Sequence, residues 1–131
     1  MPCLFCDIIT HKRPGFIIDE DDDLIVFLSL ENHPLIVPKK HIPDIFSLDD
    51  DTASQIMKKA VRIASATKEA LQSDGIYITQ ANGEAAGQDV FHYHMHVYPK
   101  WSSNQTLSTD AEARRKVMEQ IKATLFQKGW A

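Results

Sequence analysis

The sequence predicts an α+β domain with a mainly antiparallel sheet, and three observations carry that prediction. Two apolar runs, Leu24–Leu30 and His33–Pro38, are separated by only Glu31 and Asn32. So short a link makes a tight hairpin and pairs the strands antiparallel. Two later segments repeat apolar residues at helical spacing, which supplies two helices to cover one face of the sheet. The length of 131 residues with 44% apolar content suits one domain around one core. No repeat, low-complexity tract or linker divides the chain, so residues 1–131 read as a single domain.

Taken in order, the acidic run Asp19–Asp23 lies between two apolar runs and reads as a solvated turn. Leu24–Leu30 is rich in branched and aromatic residues, as a buried strand is. Pro34 and Pro38 mark the second run as short or free at one edge. Ser47–Asp51 offers N-cap side chains and acids for the positive end of a helix. The helix that follows carries Ile56, Ala60, Ile63, Ala64, Thr67 and Leu71 on its apolar stripe and stops at Asp74-Gly75. Ile76–Ala81 and Val90–Tyr98 read as strands around a glycine-containing loop, Asn82–Gln88. A last helix starts at Thr109, in capping-box spacing with Glu112, and presents Ala113, Val117, Ile121 and Leu125. Its helix and tail occupy residues 109–131, where Trp130 reads as a packing residue, as does Trp101 upstream.

Several function classes are disfavoured. No stretch approaches the roughly 20 apolar residues of a membrane span, and the N-terminus lacks the pattern of a secretory signal. Cys3 and Cys6 are too close to staple a fold, which points to a reducing, cytoplasmic setting. A net charge of −4 argues against a nucleic-acid partner.

His92, His94 and His96 fall at every second position of Val90–Tyr98. On a strand such residues share one face, spaced roughly 6.5–7 Å apart. Tyr93, Met95 and Val97 would then pack under the helices. Three uses are open at this level: a solvated strand face, a metal site, or nucleophilic attack by an imidazole on phosphorus. In the last, neighbouring imidazoles hold phosphate oxygens and protonate the leaving group. The loop before the strand favours phosphate, since Gly83 and Gly87 admit a close backbone approach and Gln88 donates without charge.

The segment Ala86-Gly-Gln-Asp-Val-Phe-His-Tyr-His-Met-His-Val-Tyr-Pro-Lys100 resembles the signature of the histidine-triad (HIT) family. His33-Pro-Leu-Ile-Val-Pro-Lys-Lys-His41 and Cys3-Leu-Phe-Cys-Asp-Ile-Ile9 resemble two further family blocks, the latter found in bacterial members. The resemblance spans about residues 2–101. It implies a HIT-like fold with about five strands and two main helices. It also implies a nucleotidyl hydrolase or transferase acting at the α-phosphate of a nucleotide derivative, a phosphoramidate or nucleotidyl ester, without organic cofactor. The implied alternatives are a dinucleoside polyphosphate hydrolase and a zinc-stabilised nucleotide-binding module with little turnover. By the resemblance His94 is the nucleophile, His96 assists the leaving group, and Gln88 and His33 hold phosphate oxygens. Phe5, Ile8, Phe27 and Leu35 line a slot for the base, a purine, with Asn82 and Asp89 nearby. Homodimers are the family habit.

Cys-x-x-Cys supplies half of a tetrahedral zinc shell. The resemblance adds His41 and His92, giving a structural Zn²⁺ bound by Cys3, Cys6, His41 and His92. A redox Cys-x-x-Cys lacks the strand-then-helix context here. The chain also departs from the family. The link before His33 is short, and Ser29 stands where the family has a ribose-contacting Asp, with Glu31 the nearby carboxylate. Asp89 replaces a Ser or Thr beside the phosphate, where a carboxylate either repels the phosphate, unless turned away or neutralised by His96, or raises a histidine's pKa. Ala81 replaces an Asn, and Lys100 an Arg.

Overall fold

A computed structural model describes residues 3–131. Helix α1 (Leu4–Ile9) opens the chain, followed by strands β1 (Ile17–Glu20), β2 (Leu24–Leu28) and β3 (Pro34–Pro38). Helix α2 (Asp50–Leu71), strands β4 (Gly75–Thr79) and β5 (Met95–Lys100) and helix α3 (Ala111–Gln127) complete it. The five strands form one sheet in the order β1-β2-β3-β5-β4, and every neighbouring pair is antiparallel. Two main helices on an antiparallel sheet are the α+β architecture that the periodicities predict, and five strands are the number that the resemblance implies.

The two faces of the sheet are buried differently. Ile18, Leu24, Val26, Leu28, Ile36, Tyr93 and Val97 pack under α2 and α3 against Ile56, Ile63, Val117 and Ile121. Tyr93, Met95 and Val97 thus lie where alternation puts them. Each fully buried branched side chain of this layer contributes about 1.5–3 kcal/mol. The other face is covered at one end by α1, whose Phe5 and Ile8 pack on Ile25, Phe27, Leu35 and Val37. That is why β2 and β3 are buried at every position.

Several element boundaries differ from the sequence reading. The β2–β3 hairpin pairs as expected, Leu24 opposite Pro38 and Leu28 opposite Pro34, but its connection runs from Ser29 to His33. β3 is short, as its prolines suggest, yet it is the central strand of the sheet and has no free edge. Ser29 N–H bonds to the His33 carbonyl and Lys39 N–H to the Asp23 carbonyl, so odd-numbered residues of β3 face β2. The missing N–H groups of Pro34 and Pro38 therefore face β5, whose ladder with β3 involves only Leu35 and Ile36. Nothing is lost there. For the same reason β5 begins at Met95 instead of Val90, and His92 and His94 precede the strand. Helix α2 is capped by Asp49, which accepts from Thr52 N–H, and ends at left-handed Gln72 before Asp74-Gly75 is reached. Helix α3 is capped by Asp110, one residue beyond Thr109; its carboxylate accepts from Ala113 N–H and from the Ser108 hydroxyl. Trp101 Nε1 donates to the Leu71 and Gln72 carbonyls, and Trp130 packs on the main core.

Candidate active site and metal centre

Cys3 is the N-cap of α1, its sulfur accepting from Cys6 N–H at 3.3 Å. This turn brings both sulfurs to one side. Cys3 Sγ lies 3.4 Å from His92 Nδ1, and Cys6 Sγ lies 3.5 Å from the same nitrogen and 3.3 Å from His41 Nδ1. All four donor atoms fall within 4.8 Å of one another. Bonds of ~2.3 Å to sulfur and ~2.0–2.1 Å to nitrogen give tetrahedral edges of about 3.3–3.8 Å; the three sulfur–nitrogen separations of 3.3–3.5 Å match these edges, and the remaining pairs lie no farther apart than 4.8 Å. His92 Nε2 donates to the Pro38 carbonyl at 2.7 Å, which fixes its tautomer and leaves Nδ1 a lone pair for a metal. Burial above all, then the neighbouring His41 and His94, lower the pKa of His92 and keep the ring neutral. Burial, with the thiol and charge of Cys3 and the charge of Asp7, pushes the Cys6 thiol up to about 11. Both thiols are free of any disulfide.

The next two histidines face the other way. His94 Nδ1 donates to the carbonyl of His92 at 2.8 Å, so its Nε2 carries the free lone pair. His96, in register with Leu35 and Thr79, stands beside it with ring centroids 4.9 Å apart. Behind His96 a chain of hydrogen bonds runs into the protein. His33 Nε2 is 2.9 Å from His96 Nδ1, and His33 Nδ1 is 3.0 Å from Ser29 Oγ. Ser29 Oγ already accepts from the Glu31 and His33 backbone N–H groups, so its own proton goes to His33 Nδ1. His33 then carries its proton on Nε2 and donates it to His96 Nδ1. His96 in turn presents an Nε2–H. Burial, then the charges of His96, Lys100 and His94, push His33 down to about 3, so it stays neutral throughout the physiological range. Burial and His94 lower His96 more strongly than Asp89 and Glu31 raise it. The expected upward pull of Asp89 is thus present at His96 but outweighed.

His94 and His96 open onto a cavity of about 820 Å³, within the range that encloses a small organic ligand. Phe5, Ile8, Phe27 and Leu35 form its apolar wall, and Ser29 and Asp89 also line it. The Phe5 ring meets His94 edge-on at 4.9 Å and Phe27 at 5.3 Å. Asp89 Oδ1 lies 3.8 Å from His94 Nε2. Three candidate residues do not line the cavity. His33 sits behind His96. Asn82 ties the loop together, accepting from Ile45 N–H and exchanging hydrogen bonds with Gln80. Gln88 is buried; its amide donates to the Pro43 and Val90 carbonyls and accepts from Gly83 N–H. It braces the glycine loop, where Gly83 and Gly87 both take positive φ.

The HIT domain family profile matches residues 10–103, more than half of the chain. The chain belongs to the HIT family. Protein hit of Bacillus subtilis is 36% identical over 103 residues, covering 76% of this chain and 71% of that one. A zinc-bound histidine-triad family protein from Mycobacterium smegmatis superposes with a TM-score of 0.89 at 30% identity, covering 98% of this chain and 96% of that one. A HIT family hydrolase from Legionella pneumophila superposes with a TM-score of 0.65 at 29% identity, covering 79% and 95%. The HIT match ends before α3, yet Arg114 of that helix lines the cavity, as does Arg13 from the loop after α1. The sequence reading missed both arginines. No motif marks either, and only the packing of α3 beside β1 brings Arg114 to the cleft.

Proposed function

We infer that this HIT protein is a hydrolase or transferase acting at the α-phosphate of a nucleotide derivative, a nucleoside phosphoramidate or a nucleotidyl ester. One observation carries the reading. The Nδ1–H of His94 is held on the His92 carbonyl at 2.8 Å, which leaves Nε2 as a nucleophile at the mouth of an apolar slot. In the first step His94 Nε2 attacks phosphorus and the bond from phosphorus to the leaving group breaks. The Nε2–H of neutral His96 donates a hydrogen bond to the departing atom, which takes its proton from water. Water or an acceptor alcohol then takes the nucleotidyl group from His94 and releases its own proton to solvent. His33 and Ser29 hold the His96 tautomer that this requires. Gln88 serves through the loop it braces. For its amide to hold a phosphate oxygen as well, it must give up the Pro43 or Val90 carbonyl. Phe5, Ile8, Phe27 and Leu35 take a purine base.

The four ligands Cys3, Cys6, His41 and His92 fit a structural Zn²⁺ in donor type and spacing. Such an ion, when bound, fixes α1 against the segment that carries His94; no catalytic step passes through it. A homodimer through the β4 edge completes the proposal.

The test is release of AMP from adenosine 5′-phosphoramidate. His94→Ala is expected to lose more than about 10³-fold in kcat while remaining folded. An alkaline, denaturing quench of a radiolabelled nucleotidyl ester reaction, in which the P–N bond survives, should trap the adduct on the wild type alone. Equal turnover by wild type and His94→Ala would remove the nucleophile from the mechanism.

A further inference from the structure

The turn that carries Ser29 and His33 is held from outside by a single side chain. Within the turn, Asn32 N–H donates to the Ser29 carbonyl at 3.1 Å and Ser29 N–H to the His33 carbonyl at 2.8 Å. Leu30 is 78% exposed and Glu31 is exposed as well. Asn32, beside them, is fully buried. Its Nδ2 donates to the Ser108 carbonyl at 2.9 Å. Among the described residues this is the only hydrogen bond that ties residues 29–32 to a part of the chain outside their own turn. Ser108 leads into α3, its hydroxyl donating to the Asp110 carboxylate that caps the helix. A continuous set of bonds thus joins the start of α3, beyond the residues that the HIT profile matches, to the residue preceding His33.

Stability alone does not account for an asparagine here. Its backbone lies in the left-handed region, at φ 71°, which glycine adopts most readily. Its Oδ1 is buried without a hydrogen-bond partner, and an unpaired carbonyl in the interior is destabilising. Glycine would take the same backbone conformation and bury no unpaired atom. What the asparagine adds is the bond to Ser108. The turn so anchored sets where the Ser29 hydroxyl and the His33 ring stand. Ser29 Oγ is 3.0 Å from His33 Nδ1, and His33 Nε2 is 2.9 Å from His96 Nδ1. We propose that Asn32 is a positioning residue for His33 and His96, through which the segment before α3 acts on the active site without touching substrate. This deepens the role given to His96 above and rests on it.

Asn32→Gly in the full chain tests it, since it keeps the backbone conformation and removes the tie. At a temperature where a thermal scan shows both proteins fully folded, kcat for AMP release from adenosine 5′-phosphoramidate is expected to fall at least about fivefold, with KM changed less than about twofold. Nitrogen-15 NMR should show the single tautomers of His33 and His96 in the wild type become mixed in the variant. Asn32→Asp keeps the size of the side chain but sets an acceptor against the Ser108 carbonyl, so it should behave like Asn32→Gly. Ser108→Ala frees this segment from Asp110. Its loss should be smaller, and combined with Asn32→Gly it should cost nothing further. Wild-type kcat and tautomers in Asn32→Gly would overturn the inference, as would full additivity of the two substitutions. A rise in KM with unaltered tautomers would assign Asn32 to the shape of the slot and overturn it too. A wild type that releases no AMP removes the nucleotide reading, while the tautomer spectra still decide this inference.

Discussion

Ser29 shows how a single side chain's direction alters its role. Aligned with a sugar-contacting carboxylate, it reads from sequence as a weaker sugar ligand. In the structure its hydroxyl turns inward, to His33 Nδ1 at 3.0 Å, and through His33 governs which nitrogen of His96 bears the proton. Ser29→Ala removes the donor to His33 Nδ1 and lets His33 adopt its other tautomer, so that His96 can present a lone pair toward the phosphate. The expected result is a fall in kcat of about tenfold or more with little change in KM. Nitrogen-15 NMR should show mixed tautomers at His33 and His96, and Ser29→Thr should restore both readouts. A normal kcat with an unaltered tautomer pattern would refute the relay. Residue identities at this scale were legible because His-x-His-x-His and Cys-x-x-Cys have few structural uses. Their directions were not. His92, His94 and His96 were expected on one strand face, but the ladder begins only at Met95, which frees His92 to turn toward the thiols.

Among the elements, β1 was missed because its Asp19 and Glu20 read as part of a solvated acidic turn, and α1 was missed for a different physical reason. Six residues offer no periodicity beyond Phe5 and Ile8, and a helix of that length does not hold itself in water. Its stability comes from packing on Phe27 and Leu35 and from whatever joins Cys3 and Cys6 to His41 and His92. By contrast α2 and α3 were legible because each buries a full stripe. Their caps were misplaced only where Asp110 and Gln72 compete with near neighbours. Purified protein is expected to contain one zinc per chain. A strong chelator, or Cys6→Ser, should lower Tm by at least about 5 °C and speed hydrogen exchange across Leu4–Ile9 first. Because Phe5 borders His94, turnover in the proposed AMP-release assay should fall in step with that loss of protection. Exchange that is fast in the zinc-loaded protein as well, or unchanged by chelation, would show that the metal does not secure this helix.

At the scale of the whole molecule, β4 is the edge strand next to the one that carries His96. Its outer backbone groups have no partner strand among the described residues, and Tyr77 and Ile78 on it are 55% and 41% exposed. Met57 and Val61 on α2, one turn apart, are 58% and 56% exposed. Soluble monomers usually blunt an edge of this kind with charge or proline, and β4, Gly75-Ile-Tyr-Ile-Thr79, has neither. A second copy is the fitting occupant, since two β4 strands running antiparallel continue both sheets and bring apolar surface of both chains together. The wild type is therefore expected to sediment as a dimer at micromolar concentration. Ile78→Lys should give a monomer, while Phe126→Lys on exposed α3 should stay dimeric. Thr79 and Tyr77 pair with His96 and Tyr98 across the β4–β5 ladder, so freeing the edge loosens the strand that positions His96. The monomeric variant should lose several-fold in kcat and regain it where high concentration restores the dimer. A wild type that sediments as a monomer would instead leave this edge to another partner, and the same Ile78→Lys substitution would then leave kcat independent of concentration.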